Sequence, residues 1–327
     1  MLSEADLRRE AAAVGFQPEA LEKVIRLVEL LEGLCSHPFL KTRMALKGGT
    51  ALNLFVLDVP RLSVDIDLNY IGAADKETML VERPKVEQAV HAVCGRLAIR
   101  IQRAPTDHAG GKWRLSYTSV TGRPSGLELD VNFLLRTPLW PTTAADSKRI
   151  GSFGVTHIPM LDLHELAAGK LAALFGRAAS RDLFDVRELL RSATLDARKL
   201  RIGFVVYGGI NRRDWRTVSL DEVQTDPDHV DRELVPLLKS NAAPPRKQIV
   251  GWTERLIADC RKRLTSVLPF TAPESEFLDR LNERGEIVPE LLTDDEGLQD
   301  TIRSHPGLLW KAVNVRKQRG LPSADET

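Results

Sequence analysis

A ten-residue segment, RLSVDIDLNY from Arg61 to Tyr70, alternates strictly between polar and apolar side chains. Successive side chains of a β-strand point to opposite faces of a sheet, so this alternation predicts a strand with one buried and one polar face. Asp65 and Asp67 lie two residues apart on the polar face, about 7 Å apart at their roots. The chain must therefore build a sheet that holds two carboxylates side by side.

Carboxylates held this closely repel each other unless a cation lies between them, and Mg²⁺ prefers hard oxygen ligands. A β-hairpin predicted over 112–136 places Asp130 on the polar face of its second strand, with Glu128 and Asn132 as alternatives for the same role. Three carboxylates on adjacent strands suit a two-metal site for phosphoryl or nucleotidyl transfer. The competing interpretation is a solvated strand face that binds nothing. If the two acids were the only signal, this interpretation would be favoured.

A glycine turn precedes the acidic strand and weakens that competing interpretation. Gly48-Gly49-Thr50 follows a short apolar strand, Met44 to Leu46, and leads into a short helix. Glycines allow a close approach of the backbone to a phosphate, the first amides of a helix favour an anion, and a threonine hydroxyl adds a donor. The turn and the strand together predict a phosphate cradle beside a metal site.

A lysine on an apolar helix face is the third candidate feature. In the helix predicted over 162–175, Lys170 falls in the middle of the apolar stripe, where an ammonium group requires an anion. The next predicted helix carries Asp182 and Asp185 on or beside its buried side. The functional interpretation has Lys170 contact a triphosphate. A purely structural Lys–Asp bridge and a lysine that extends past the core are the alternatives.

Length and composition exclude several other classes of protein. A chain of 327 residues predicts two packed units, and 46 basic against 45 acidic residues exclude a bulk polycation. The sequence has no apolar run of about 18 residues and no secretory pattern at its beginning, so we expect a cytoplasmic protein without a membrane segment. The pattern favours an α+β fold, with one domain over 1–158 and a mainly helical domain over 159–327.

These motifs together resemble the AbiEii/AbiGii nucleotidyltransferase toxins, a group that includes the mycobacterial MenT toxins. The resemblance covers about residues 40–215, including the stretch Phe204 to Tyr207. The matching positions are Lys47-Gly48-Gly49-Thr50-Ala51-Leu52, Arg61-Leu62-Ser63-Val64-Asp65-Ile66-Asp67-Leu68, Lys170, and Asp182 and Asp185 after Arg181. The combination is specific, although each piece alone is not.

The resemblance implies a DNA polymerase β-like nucleotidyltransferase core, a mixed sheet flanked by helices, with a helical C-terminal domain. It implies a toxin of a toxin–antitoxin or abortive phage infection system, with an antitoxin encoded nearby. Such toxins transfer NMP from an NTP to the 3′ acceptor end of tRNA, which blocks translation, with Mg²⁺ as the ion and Mn²⁺ as an alternative.

The resemblance also implies roles for individual residues. Nucleotide-binding roles fall on one group of positions: Gly48, Gly49, Thr50, Arg61, Ser63 and Lys170. Catalytic roles fall on a second group: Asp65, Asp67, Lys170, Asp185 and, less directly, Asp182. The resemblance gives Asp65 and Asp67 as metal ligands, and the hairpin pattern adds Asp130 to them. Some relatives are phosphorylated at a serine placed like Ser63, where added negative charge would repel NTP.

The sequence leaves the acceptor open. Residues after about 220 match no motif, and the segment 197–263 has 14 basic and 9 acidic residues, an excess of 5 positive charges. A tRNA would suit that surface, and so would water around a charged helix face. A small-molecule acceptor such as an aminoglycoside, a protein acceptor, and a binding module without catalysis are the competing hypotheses.

Overall fold

A computed structural model describes residues 2–106 and 109–322, which form two compact units. The sheet unit contains the described residues of 1–136, together with 142–161 and 228–249. The helical unit contains 137–141, 162–227 and the described residues from 250 onward. The predicted domain division after residue 158 stays a prediction.

The sheet unit is built on one mixed sheet of seven strands. In chain order these are β1 (Met44–Lys47), β2 (Asp65–Tyr70), β3 (Arg100–Arg103), β4 (Gly110–Thr118), β5 (Pro124–Asn132), β6 (Thr143–Ala145) and β7 (Ile158–Met160). Their order across the sheet is β3-β4-β5-β2-β1-β7-β6. β2 pairs in parallel with β5, β1 pairs in parallel with β7, and the other neighbours are antiparallel.

The part of this unit before β3 contains four helical segments, in chain order α1 (Glu4–Val14), α2 (Pro18–Ser36), α3 (Gly48–Ala51), which continues as a π-helix over Leu52–Val56, and α4 (Lys76–Arg96). The mainly apolar helix α2 contacts both α4 and β5. Buried side chains on the apolar face of the sheet include Ile66 and Leu68 of β2 and Leu129 and Val131 of β5. The alternation seen in the sequence thus predicts the buried face of both strands.

The boundary predicted for the acidic strand is wrong for a physical reason. The acidic strand begins at Asp65 and not at Arg61, because the Leu62 N–H donates to the carbonyl of Leu237, a distant segment, instead of to the sheet. Pro84 does not interrupt α4. The carbonyl that a proline leaves without a donor is that of residue i−4, here Leu80, whose surroundings are exposed to water.

The hairpin over β4 and β5 is confirmed, and Pro124 to Gly126 already belong to β5. The segment 137–156 contains the short edge strand β6. The segment 220–239 forms a series of short helical turns: Leu220–Glu222, α8 (Pro227–His229), Val230–Leu234 and Val235–Leu237.

The helical unit has no strand among its described residues. Its longer helices are α5 (Leu163–Arg177), α6 (Ser180–Ser192), α7 (Ala197–Ile210), α9 (Ile249–Leu264, whose first residue belongs to the sheet unit), α10 (Ala272–Arg284), α11 (Glu296–Arg303) and α12 (Pro306–Arg319). Shorter 3₁₀ turns of this unit lie at Trp215–Thr217 and Pro289–Leu291, and the turn at Arg246–Gln248 belongs to the sheet unit. The predicted α+β class with a mixed sheet and a helical C-terminal part is confirmed. Within the described ranges, no helix is long and apolar enough to cross a membrane.

An aromatic cluster forms part of the core of the helical unit. The rings of Phe175, Phe204 and Trp215 lie 5.4–6.0 Å apart between centroids. Trp215 packs so closely on α7 that a Cβ atom on Gly208 would lie 1.9 Å from its Nε1 atom. A side chain at position 208 would therefore force Trp215 out of the core.

A buried carboxyl group holds the start of the helical unit together. Asp162 caps α5 by accepting a hydrogen bond from the N–H of His164 at 2.8 Å. Glu165 is fully buried and accepts hydrogen bonds from the Tyr207 hydroxyl at 2.7 Å and the Leu139 N–H at 3.1 Å. Burial raises the pKa of Glu165 to about 7, although these hydrogen bonds oppose the shift.

This shift predicts a pH-dependent stability. The folded protein binds the Glu165 proton more tightly than the unfolded chain, so the stabilisation is complete below about pH 4.5 and is lost as the pH rises through 7. We expect a loss of about 3 kcal/mol in unfolding free energy from this group over that range. Because Glu165→Gln cannot titrate, urea unfolding at pH 5 and pH 8 should show a smaller pH-dependent loss than in wild type. The exposed Glu276→Gln serves as the control, and parallel pH profiles for wild type and Glu165→Gln would contradict the assignment.

Candidate active site

A row of four charged residues crosses the centre of the sheet. Strand register places Lys112 of β4 beside Asp130 of β5, Asp130 beside Asp67 of β2, and Asp67 beside Lys47 of β1. In the next row Asp65 lies beside Glu128. The two sequence-predicted acids of β2 thus meet the two acids of β5 on adjacent strands.

The charged groups of this row shift one another's pKa values. Burial raises the pKa of Asp130, the negative charge of Asp67 adds to that rise, and the positive charges of Lys47 and Lys112 oppose it. Lys112 donates to Glu128 at 2.5 Å, which raises the pKa of Lys112, and the charges of Asp65 and Asp67 act in the same direction. The centre of the row is a half-buried acidic pair with a lysine on each side.

The first glycine of the turn is fitted to the acidic strand. Gly48 has φ +75°, and a Cβ atom there would lie only 2.1 Å from the Oδ2 atom of Asp67. A side chain at position 48 would therefore collide with the carboxylate as well as strain the backbone. The glycine permits the Asp67 side chain to lie directly against the turn.

Thr50 and Asn53 fix the turn to its surroundings. The hydroxyl of Thr50 is buried and donates to the backbone carbonyl of Asp65, and the Asn53 amide donates to the carbonyl of Gly49 at 2.9 Å. The Thr50 hydroxyl thus joins the turn to the acidic strand in this structure. Its predicted contact with phosphate stays a prediction.

Two further predicted nucleotide-binding residues, Arg61 and Ser63, are also buried. Arg61 donates to the carbonyl of Leu62 at 2.7 Å and forms a backbone bridge with Leu238. Both residues lie in the segment that leads into β2, outside the strand that carries the acids. Their roles toward a nucleotide stay predictions.

The acidic rows offer the oxygen donors that a divalent cation prefers, and the repulsion between Asp67 and Asp130 is what such a cation relieves. The residues therefore fit a metal ion chemically. Across the described part of the chain, no group of three or more His, Cys, Asp or Glu side chains is already arranged around one point. The predicted ligand set of Asp65, Asp67 and Asp130 stays a prediction.

The other predicted residues form a buried ion cluster within the helical unit. Lys170 of α5 lies 2.9 Å from Asp182 and 3.0 Å from Asp185 of α6, and all three side chains are buried. Arg177 also binds Asp182, at 2.5 Å. Burial alone would raise the pKa of Asp182, but Lys170 and Arg177 hold it well below its usual range. The helical periodicity of the sequence correctly predicts that Lys170 is buried beside carboxylates.

Lys112, one of the four residues of the charged row, belongs to none of the motifs identified in the sequence. Lys112 is the first residue of the hairpin predicted from the sequence, and the observed strand β4 begins earlier, at Gly110. The antiparallel register of β4 and β5 shows that Lys112 lies opposite Asp130. Lys47 belongs to the quoted motif, but only the register of β1 shows that it faces Asp67.

Paired carboxylates on neighbouring strands, next to a glycine turn, are the features expected of an enzyme that transfers phosphoryl or nucleotidyl groups. The family model described as nucleotidyl transferase AbiEii toxin, type IV TA system, matches residues 29–258. The chain belongs to this AbiEii nucleotidyltransferase toxin family. No curated protein matches it.

A solved structure is similar in fold. It is that of MenT4, a nucleotidyltransferase toxin from Mycobacterium tuberculosis H37Rv, with a TM-score of 0.59 and 22% sequence identity. The match covers 93% of this chain and all of the MenT4 chain. At this identity the similarity supports the fold, and the family assignment supports the activity. The chain is a nucleotidyltransferase of a type IV toxin–antitoxin system, an assignment that implies a nucleoside triphosphate substrate, a divalent metal ion and an antitoxin.

Gly48→Ala tests the close contact between the turn and Asp67. We expect a loss of about 1–3 kcal/mol in unfolding free energy from backbone strain and collision, together with weaker binding of a divalent cation. The measurements are urea unfolding and the cation-dependent rise in melting temperature. Gly95→Ala is the matched control, since a Cβ atom at that helical position meets nothing within 4 Å. Equal effects of the two substitutions would contradict the fitted turn.

Lys170→Ala tests the buried ion cluster. The substitution leaves two carboxylates buried without their ammonium partner, so the free energy of unfolding should fall by about 3–5 kcal/mol. Lys262→Ala, an exposed lysine of α9, should change it by less than about 0.5 kcal/mol. In the double variant Lys170→Met, Asp185→Leu, the ion pair of Arg177 and Asp182 remains, and we expect partial recovery of stability. A Lys170→Ala protein as stable as wild type would rule out this role.

Proposed function

We propose that this enzyme is an Mg²⁺-dependent toxin that transfers NMP from an NTP to the 3′ acceptor end of tRNA and thereby blocks translation. The observation that carries the proposal is the acidic row, in which Asp67 and Asp130 lie side by side next to the Gly48 turn. Mn²⁺ is the alternative ion, because it accepts the same oxygen ligands.

In this proposal Asp65, Asp67 and Asp130 bind the metal ion. The ion supplies Lewis-acid stabilisation of the phosphate charge when it is bound. The carboxylates hold the ion at the sheet, and the flanking Lys47 and Lys112 add positive charge where a triphosphate needs it. This arrangement supports positioning and charge stabilisation as the main contributions of the sheet unit to catalysis.

The remaining residue roles are part of the same proposal. Gly48, Gly49, Thr50, Arg61 and Ser63 are the candidates for shaping the nucleotide site from the sheet unit. Buried Thr50 can act by fixing the backbone of Asp65. Lys170 is proposed to bind the nucleotide, and Asp185 and Asp182 are proposed to be essential acids.

The setting of the activity follows from the family. We propose that the protein acts in the cytoplasm, that its antitoxin is encoded by a neighbouring gene, and that the pair takes part in phage defence. The family is described as a toxin of type IV toxin–antitoxin systems, which supports both a toxic activity and the existence of an antitoxin.

The decisive experiment is transfer of label from each of the four radiolabelled NTPs to total tRNA in the presence of Mg²⁺. We expect transfer with at least one NTP, loss of label after removal of Mg²⁺ with EDTA, and at least a ~100-fold slower rate for Asp67→Asn. Loss of a metal ligand removes several kcal/mol of charge stabilisation, which corresponds to that factor. Asp58→Asn, an exposed acid of the same unit, should keep the wild-type rate.

The outcomes separate the possible acceptors. Label at tRNA 3′ ends, accompanied by growth arrest of a host that expresses wild type and not Asp67→Asn, supports the proposal. Label on protein or on an added aminoglycoside, with none on tRNA, would replace the acceptor and keep the chemistry. No transfer to RNA with any NTP and either metal ion would refute the tRNA substrate.

A further inference from the structure

An open cavity of about 240 Å³ lies on the helical unit. None of the residues that line it belongs to the buried ion cluster of Lys170, Asp182 and Asp185. One face of α9 forms most of the wall, with Trp252, Arg255, Leu256 and Asp259 at positions i, i+3, i+4 and i+7. Arg187 of α6 closes the other side. The lining therefore combines one large aromatic ring, two guanidinium groups and one carboxylate.

The aromatic wall is held in place from behind. The ring of Trp252 stacks on Phe184 at 6.4 Å between centroids, with 20° between their planes. Phe184 is buried, whereas Trp252 is only half-buried. A supported and partly exposed indole is the type of surface on which a nucleobase stacks, because every base has a flat π-face.

Arg187 is also pre-ordered at the cavity. Its guanidinium lies over the Phe184 ring at 5.3 Å and its Nη1 atom lies 2.7 Å from Glu188. Its Nε atom is buried and has no hydrogen-bond partner among the described residues. A guanidinium fixed in this way has planar N–H donors that suit phosphate oxygens, and it loses little side-chain entropy on binding.

The charge balance at the cavity is positive. Arg255 is exposed, and no ion pair of its side chain is found in the described ranges. The single acid of the lining, Asp259, is already engaged by Arg263 at 3.1 Å. In the last turn of α9, Lys262 lies on the same side of the helix as Arg255, whereas Arg261 donates to the backbone carbonyls of Asp221 and Val223. An anionic ligand would therefore meet guanidinium groups without facing an uncompensated carboxylate.

From these contacts we propose that the cavity binds one unpaired nucleotide of a nucleic-acid strand, with its base on Trp252 and its phosphate at Arg187 and Arg255. The volume is below the roughly 300–1,000 Å³ of ordinary ligand pockets, so the cavity has room for no more than one nucleotide and none for a duplex stem. The basic last turn of α9 provides charge for the adjoining backbone. The inference deepens the proposed function, since it assigns a contact for the RNA substrate.

The test is fluorescence anisotropy of a labelled single-stranded RNA of about 12 nucleotides, a length that single-strand-binding folds cover. Titration with full-length protein is done without NTP and without divalent metal. We expect Trp252→Ala and Arg255→Glu each to raise the Kd at least about 5-fold, because a stacked base contributes about 1–3 kcal/mol. Trp252→Phe should restore most of the affinity, since it keeps an aromatic face.

Two matched controls come from the same unit. Trp310→Ala removes an exposed tryptophan of α12, and Arg284→Glu reverses an exposed arginine at the end of α10. Both should leave the Kd within about twofold of wild type, because neither lines the cavity. Melting temperatures of all variants show whether each protein is folded before its Kd is compared.

Three results would overturn the proposal. The first is folded Trp252→Ala and Arg255→Glu proteins that bind the RNA as tightly as wild type. The second is equal weakening by the control substitutions, which would indicate diffuse charge. The third is displacement of the RNA by free AMP at the same concentration as by unlabelled strand, which would indicate a site for a free nucleotide.

Failure of this inference and failure of the proposed function give different results. Binding is measured without NTP and metal, so it reports on the cavity and not on the transfer reaction. A protein that transfers no label to tRNA, yet loses RNA affinity through Trp252→Ala, would refute the tRNA reaction and keep the cavity assignment. If wild type labels tRNA and Trp252→Ala binds the RNA as tightly as wild type, the cavity assignment is refuted and the tRNA reaction is kept.

Discussion

Repulsion between two carboxylates on adjacent parallel strands is the constraint around which the sheet unit is organised. Asp67 and Asp130 are register partners, and like charges placed opposite each other destabilise a sheet. Lys47 and Lys112, one on each side of the pair, offset part of that cost. A shift of one residue in any of these four strands would turn a charged side chain to the apolar face, so the register and the site specify each other.

The turn that precedes the acidic strand is adapted to the same pair. Gly48 leaves room for the Asp67 carboxylate, and the Thr50 hydroxyl donates a hydrogen bond to the backbone carbonyl of Asp65. Both residues thus act first on the acids and their strand. A site built this way is rigid on the protein side, which is what a reaction that depends on positioning and charge requires.

The sequence alone predicts much of this arrangement, and the limits have physical causes. Alternation at period two identifies the faces of β2 and β5, and period 3.6 identifies Lys170 as buried, because both patterns are local. The start of β2 was not predictable in this way, since Leu62 pairs with Leu237, which is far away in the chain. Lys112 and the wall formed by Trp252 and Arg187 also depend on register or packing between distant segments, which no local pattern encodes.

The interleaved path of the chain restricts how the protein can be dissected. Residues 228–249 belong to the sheet unit although the helical unit's segment 162–227 precedes them, and they supply the partner of Arg61 and Leu62 at the entrance to β2. A recombinant fragment that stops near residue 160 would expose that entrance and lack its backbone partner. Truncation would thus damage the acidic strand β2 by removing a segment that is distant in the sequence, and an inactive fragment would say nothing about where catalysis resides.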